Sequence, residues 1–146
     1  TDKNDKINKI IMKIKNKLLI LAFHSVNLIL IIFYLYPGSL FGCYLNNNCN
    51  IQPQITGNFI VSSNYSIASN HFYAFFILST LGIFAYRNIK KIKFLITYLL
   101  LISIIFELFH LIIPTREFEF KDLFGNILGV ISVIFIYKII DKYVQN

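Results

Sequence analysis

The chain has 146 residues, of which 56% are hydrophobic and only 14% are charged. Soluble domains carry about 25% charged residues, so this composition excludes an ordinary soluble protein and indicates a membrane protein. The net charge of +7 would fit nucleic-acid binding in a soluble protein, but the positions of the basic residues, described below, explain it without a nucleic-acid partner.

Residues 1–17 form a polar, lysine-rich segment in which isoleucines recur at helical spacing. Ile7, Ile10, Ile11 and Ile14 fall at i, i+3, i+4 and i+7, which predicts a helix with one apolar face opposite a lysine face. Such a basic amphipathic helix suits a membrane surface that contains anionic lipids. A solvated cytoplasmic tail that only sets the membrane topology is the alternative.

Four apolar segments follow, each close to the ~20 residues that cross a bilayer as a helix. They are residues 18–36, 67–86, 94–113 and 123–140. The first segment is also compatible with a signal peptide, but its length and the three later segments favour a retained span. The predicted fold is all-α, with residues 18–146 forming an integral bundle of four transmembrane helices in the cell membrane.

A long polar loop is predicted at residues 37–66, between the first two spans, and it contains no charged residue. Its two cysteines, Cys43 and Cys49, are the only ones in the chain. They would pair as a disulfide if the loop faces an oxidising compartment, and two free thiols are the alternative. Two cysteines alone are too few ligands for a structural metal site.

Basic residues are distributed unevenly among the segments outside the spans. The N-terminal tail, the loop at residues 87–93 and the C-terminal end of the chain from Lys138 onward hold every lysine and arginine except Arg116 and Lys121. Because cytoplasmic loops are enriched in basic residues, this distribution predicts that both termini are cytoplasmic. The loops at residues 37–66 and 114–121 are then expected outside the cell membrane.

Polar side chains near the outer ends of the spans are the main indication of function. Six residues are predicted to lie at one level of the bilayer: His71, Glu107, His110, Arg116, Asp122 and Asn126. Ionisable residues within apolar spans are costly, so their presence requires a partner or a function. Glu107 and His110 share a helix face at i, i+3, and Asp122 and Asn126 share one at i, i+4.

Gly125 and Gly129 lie beside the second of these faces, and small residues at this spacing permit close approach of another helix. The polar residues also have purely structural interpretations. Asp122 could act only as the N-cap of its helix. Glu107 and Arg116 could form an ion pair that offsets the cost of burying the carboxylate.

The same residues resemble the sequence pattern of the VanZ-like family. The resemblance rests on Asn70-His71-Phe72, on Glu107 with His110, on Pro114-Thr115-Arg116, and on the segment from Asp122 to Gly129. His110 stands where the family usually has glutamine. The resemblance implies a small multi-span α-helical protein of the cell envelope, in a family whose named member is associated with resistance to the glycopeptide teicoplanin. It implies no established chemical activity.

Two classes of function follow from these observations. In the first, the protein binds or modifies an amphiphilic ligand of the outer leaflet, such as a lipid-linked wall precursor or a lipoglycopeptide, and lowers susceptibility to glycopeptide-type antibiotics. Its ligand-binding residues are predicted to be His71, Arg116, Asp122 and Asn126. In the second, the protein is a membrane hydrolase or transferase, whose catalytic candidates are Glu107, His110 and Asp122, with the carboxylates as general bases and His110 or His71 as the acid.

Two further hypotheses have weaker support in the sequence. His71, His110 and Asp122 could bind one Zn²⁺, although we predict no metal and no cofactor from the pattern as a whole. The polar residues could also only fix the packing of a structural membrane subunit. Membrane lipids are the expected surroundings in every case, and no nucleic-acid partner is expected.

The predicted topology can be tested with reporter fusions. An enzyme that is active only in the cytoplasm should be active when it is fused after Val144, and inactive when it is inserted in the loop at residues 37–66. The reason is that the basic residues keep the C-terminus in the cytoplasm. Enzyme activity and membrane fractionation measure the outcome. An extracellular reporter at Val144 would reverse the topology.

Overall fold

The computed structural model describes residues 2–51, 53, 57–62, 65–87 and 92–144. Within these ranges the chain is mostly helical, as predicted. Its elements are α1 (Asp2–Leu35), α2 (Leu40–Asn46), β1 (Phe59–Ser62), β2 (Tyr65–Ile67), α3 (Ser69–Tyr86), α4 (Ile92–Phe109) and α5 (Phe120–Val144). Lys90 and Lys91, which belong to the predicted basic loop, lie outside the described residues, as do several residues of the long polar loop.

Helix α1 joins the predicted basic tail and the first span in one continuous helix of 34 residues. At 1.5 Å per residue it is roughly 51 Å long, which exceeds the ~30 Å hydrocarbon layer of a bilayer. Its first half is exposed to the surroundings, including the isoleucine face at Ile7, Ile10, Ile11 and Ile14. The helix ends before Pro37 and Gly38, where φ of Gly38 is 99°.

The segment between α1 and α3 contains regular structure that the sequence did not predict. Ser39 caps α2 by accepting a hydrogen bond from the Gly42 N–H at 3.0 Å, and a disulfide joins Cys43 to Cys49. The Ser39 N–H donates to the Cys49 carbonyl at 2.7 Å. These contacts close residues 39–49 into a loop directly after α1, and of the two alternatives for the cysteines the structure contains the disulfide.

A small hairpin precedes α3. Strands β1 and β2 pair antiparallel, with Phe59 opposite Ile67 and Ile60 opposite Ser66, and the register shifts before Ser62. At the end of β2, the Ala68 N–H donates to the carbonyl of Lys121 at 3.1 Å. The hairpin therefore attaches the start of α3 to the start of α5.

The other three long helices pack against α3, which makes its largest contact with α5 and its next largest with α1. Two glycines of α5 make this close contact feasible, as their spacing predicted. A Cβ at Gly125 would lie 2.6 Å from the carbonyl oxygen of Ala68, and one at Gly129 would lie 2.5 Å from that of Phe72. Helix α4 packs mainly against α5 and also contacts α3 and α1.

Within the described residues, three helices are long and apolar enough to cross a membrane: Lys3–Leu35, Ile92–Phe109 and Phe120–Tyr143. Helix α3 is not among them, although it has 18 residues, because it begins with the polar residues Ser69, Asn70 and His71. Many apolar side chains on the outer faces of α4 and α5 are exposed, as expected for helices in contact with lipid. The structure thus shows a multi-pass helical arrangement with three candidate spans, and the fourth span stays a prediction.

The close contact between α3 and α5 can be tested by adding a single methyl group. Gly129→Ala should lower the free energy of unfolding by about 1–3 kcal/mol, because backbone atoms of α3 occupy the space that the methyl group needs. Gly57→Ala is the matched control, since a Cβ there has nothing within 4 Å, and it should change stability by less than about 0.5 kcal/mol. Unfolding in detergent followed by circular dichroism measures both, and equal effects would contradict the packing described here.

Candidate functional site

A cluster of buried polar side chains lies where α1, α3, α4 and α5 meet at one end of the bundle. Its members are Tyr34, His71, Glu107, His110, Asp122 and Asn126, and each is less than 10% exposed. Five of the six residues that the sequence predicted at one level are therefore together, and Arg116 lies half-buried at the edge of the cluster. The functional roles assigned to them stay predictions.

Tyr34, His71 and Asn126 form a hydrogen-bonded group that joins three helices. The Tyr34 hydroxyl donates to Asn126 Oδ1 at 2.6 Å and lies 2.9 Å from His71 Nδ1. His71 Nδ1 is also 3.1 Å from Asn126 Oδ1. Because these residues come from α1, α3 and α5, the group fixes how the three helices are rotated relative to one another.

His71 and Asp122 form the part of the cluster that faces outward. His71 Nε2 is 3.3 Å from Asp122 Oδ2. Asp122 is the third residue of α5, which begins at Phe120, so the interpretation of Asp122 as only an N-cap is wrong. Its carboxylate still lies within the first turn, where the helix dipole stabilises negative charge.

Glu107 is fully buried and is held from two sides. Its Oε1 accepts a hydrogen bond from the Glu119 N–H at 3.1 Å and lies 3.3 Å from His110 Nδ1. Its Oε2 has no hydrogen-bond partner among the described residues. Within that part of the chain Glu107 pairs with His110 and not with Arg116, so the predicted ion pair with Arg116 is wrong.

The His110 ring connects Glu107 to the end of α1. Its Nε2 is 3.2 Å from the carbonyl oxygen of Tyr34, and its ring stacks on that of Tyr34 with centroids 5.8 Å apart. His110 therefore supports the position of Glu107 from inside the bundle.

Arg116 contacts the C-terminal end of α1. Its Nη2 donates to the Phe33 carbonyl at 2.6 Å, and its Nε donates to the Tyr36 carbonyl at 3.4 Å. A cation at this place satisfies the last carbonyls of the helix and stabilises its dipole. Burial lowers the pKa of the Arg116 guanidinium from its usual value, and the carboxylates of Glu107 and Asp122 act in the opposite direction.

Two cavities adjoin the cluster. A polar cavity of about 590 Å³ is lined by His71, Arg116, Lys121 and Asp122, together with residues of the loops. A second, more apolar pocket of about 330 Å³ lies beside it, against the last turns of α1 and the first residues of α2. Five residues line both: Ser39, Pro53, Asn70, His71 and Arg116.

Tyr34 is the member of the cluster that sequence analysis did not identify. A tyrosine near the end of a span is typical of the aromatic belt at a membrane interface, so its position alone indicates no site. The only signal was its place at the outer end of the first predicted span, level with the other polar residues.

Apolar helices that meet around a buried polar cluster define a multi-pass α-helical membrane protein. Within that class, the chain belongs to the VanZ/LLP1 family, whose sequence profile matches residues 21–141. This match confirms the family that the sequence resembles. No curated protein and no solved structure gives a significant match to the chain.

The role of Tyr34 can be tested by removing its hydroxyl group. Tyr34→Phe should lower the free energy of unfolding by about 1–3 kcal/mol, because His71 and Asn126 lose a buried hydrogen-bond partner. Tyr44→Phe is the matched control, since Tyr44 is 85% exposed, and it should have almost no effect. Thermal unfolding in detergent measures the difference, and a Tyr34→Phe protein as stable as the wild type would contradict the assignment.

Proposed function

We propose that this protein binds an amphiphilic molecule at the outer leaflet of the cell membrane and thereby lowers susceptibility to glycopeptide-type antibiotics. The observation that carries the proposal is the adjacency of the two cavities, one polar and one apolar, which share five lining residues. A molecule with a polar head group and an apolar chain would fill both. Binding sites combine apolar walls with a few polar groups in this way.

The topology we propose has four spans, with α3 as the second and both termini in the cytoplasm. Two contacts support it: His71 at the start of α3 contacts Tyr34, and Tyr86 at its end lies 2.9 Å from His24. Helix α3 therefore runs antiparallel to α1 alongside residues 24–34, which lie within a candidate span. Polar residues are tolerated in a span when they face other helices rather than lipid.

In this topology the polar cavity lies at the outer surface. Its charged side chains are of both signs, with Arg116 and Lys121 near Glu117, Glu119 and Asp122. Lys121 is already paired with Glu119 at 2.6 Å. A mixed lining of this kind suits a head group that carries hydrogen-bonding groups as well as charge, such as the sugar and peptide parts of a wall precursor or a lipoglycopeptide.

Arg116 is proposed to contact the head group through a single nitrogen. Two of its nitrogens donate to the carbonyls of Phe33 and Tyr36, so a bidentate contact would break the hydrogen bonds that hold the end of α1. Nη1 takes no part in those two bonds. Asn70, which lines both cavities, lies at the boundary between the head group and the apolar chain.

The apolar chain is proposed to lie in the smaller pocket. Leu30 and Phe33 of α1, Phe41 of α2 and Ala74 of α3 line it. The rings of Phe33 and Phe41 stack with centroids 4.8 Å apart, which connects the loop segment to α1. A larger side chain at Ala74 would fill the pocket without removing any polar group.

An enzymatic function is the second candidate, and one observation favours it. His71 and Asp122 are in contact and both line the polar cavity, so they could act on a bound head group. Glu107 does not line either cavity, which makes it a poor candidate for a general base. Turnover of a supplied amphiphile would distinguish catalysis from binding alone.

The proposal predicts that blocking the apolar pocket abolishes protection against drugs with an apolar chain. In a Gram-positive host, the wild-type protein should raise resistance to a lipoglycopeptide more than to a glycopeptide that lacks such a chain. Ala74→Phe should return lipoglycopeptide resistance to the level of the host without the protein. Growth inhibition at matched membrane levels is the measurement.

Ile77→Phe is the matched control, because Ile77 lies on the same helix, is 51% exposed and lines neither cavity. It should protect as well as the wild type. Full protection by Ala74→Phe, or equal loss with Ile77→Phe, would count against binding in this pocket.

A further inference from the structure

The orientation of the Asn126 amide, whose Oδ1 faces Tyr34 and His71, determines where the proton of neutral His71 lies. The Tyr34 hydroxyl has one proton and donates it to Asn126 Oδ1 at 2.6 Å. Its oxygen, 2.9 Å from His71 Nδ1, is then left to accept, so His71 Nδ1 is the donor. Neutral His71 therefore has its lone pair at Nε2.

That lone pair faces another acceptor. His71 Nε2 lies 3.3 Å from Asp122 Oδ2, and an ionised carboxylate has no proton to donate. Two acceptors at this distance repel each other unless a proton or a metal ion lies between them. A metal ion bound to both atoms would remove this repulsion.

Glu107 supplies a third acceptor at the same place. Its side chain is fully buried, and its Oε2 has no hydrogen-bond partner within the described residues. Ligand atoms of His71, Glu107 and Asp122 all lie within 4.8 Å of one another. Two buried carboxylates this close disfavour each other's charged form, and a divalent cation would neutralise both.

We propose that His71, Glu107 and Asp122 bind one first-row divalent cation, of the Zn²⁺ or Mn²⁺ type. Bonds of roughly 2.1 Å in a tetrahedral site set neighbouring ligand atoms about 3.4 Å apart, close to the 3.3 Å between His71 Nε2 and Asp122 Oδ2. One imidazole with two carboxylates favours such an ion over Ca²⁺ or Mg²⁺, which prefer oxygen ligands alone.

The surrounding contacts are those that metal ligands require. A ligating histidine donates its other N–H to a second group, which fixes the ring, and His71 does so through Nδ1. Glu107 Oε1 is held by the Glu119 N–H and by His110, which leaves Oε2 for the cation. His110, which the sequence suggested as a ligand, is thus a positioning residue for Glu107.

The remaining coordination positions of the cation are directed to the polar cavity, because His71 and Asp122 both line it. Sites with three protein ligands keep further positions for water or for a ligand atom. The cation site does not depend on the proposed amphiphile, and the experiment below uses none. Its failure is therefore distinct from a failure of the proposed function.

The experiment measures metal bound per chain. Protein purified in detergent is stripped with a chelator, equilibrated with Zn²⁺ or Mn²⁺, separated from free metal and analysed by mass spectrometry for metal content. The wild type should hold one ion per chain. Glu107→Gln and Asp122→Asn keep the side-chain shape and should weaken metal binding more than about 10-fold. Loss of a residue that only hydrogen-bonds a metal ligand already costs about 10-fold in affinity.

His24→Gln is the matched control, since His24 contacts Tyr86 away from the cluster, and it should bind metal as the wild type does. Metal should also raise the thermal unfolding midpoint of the wild type, because a ligand that binds only the folded state stabilises it. The midpoint of folded Glu107→Gln or Asp122→Asn should rise less than that of the wild type at the same metal concentration.

Folded wild-type protein that binds neither metal, with an unchanged unfolding midpoint, would overturn the proposal. That result would correspond to the opposite orientation of the Asn126 amide, which puts the proton of His71 on Nε2, where it can bond to Asp122. Metal content in both carboxylate variants equal to that of the wild type would also overturn it. If those variants do not fold, the amount of metal bound per wild-type chain and the unfolding midpoint of the wild type still test the proposal.

Discussion

The rest of the structure depends on the pairing of polar side chains that apolar helices bury. A bilayer offers no water to a lone carboxylate, so each buried polar group needs a partner within the protein. Glu107, which is fully buried, satisfies this constraint at Oε1, by contacts with His110 and with the Glu119 N–H, whereas its Oε2 has no hydrogen-bond partner among the described residues. Those contacts join the end of α4 to the segment that leads into α5. Tyr34 and His71 join α1 and α3 to the same end of the bundle.

This pairing also divides the cluster into an inner and an outer part. Glu107 and Asn126 are fully buried, and they hold the other side chains in place. His71 and Asp122 contact each other and line the polar cavity. The inner part thus positions the outer part. A bound head group would contact the outer part, and the proposed cation would lie between the outer part and Glu107. An apolar pocket lies beside the polar cavity, and this adjacency is the basis of the amphiphile binding that we propose for this member of the VanZ/LLP1 family.

Several features could be predicted because they depend on residues close together in the chain. Gly125 and Gly129 lie one helical turn apart, and their backbone does contact α3 closely. The loop before α3 could not be predicted in the same way. Helix α2 and the hairpin are too short to be stable alone, and they depend on distant contacts such as the hydrogen bond between Ala68 and Lys121. The polar residues at the start of α3 also depend on distant contacts. His71, for example, contacts Tyr34 of α1 and Asn126 of α5.

The sequence by itself determined the membrane class, the long helices, the family and the level at which most of the polar residues lie. The depth of a residue in the bilayer follows from counting residues along its span, since each residue advances a helix by about 1.5 Å. Only the tertiary structure decided which partner each polar group takes. Arg116 contacts the carbonyls of α1 instead of Glu107, and Tyr34 reaches Asn126 across 92 residues of chain. Partners depend on the rotation and spacing of helices, which arise from packing between segments far apart in sequence.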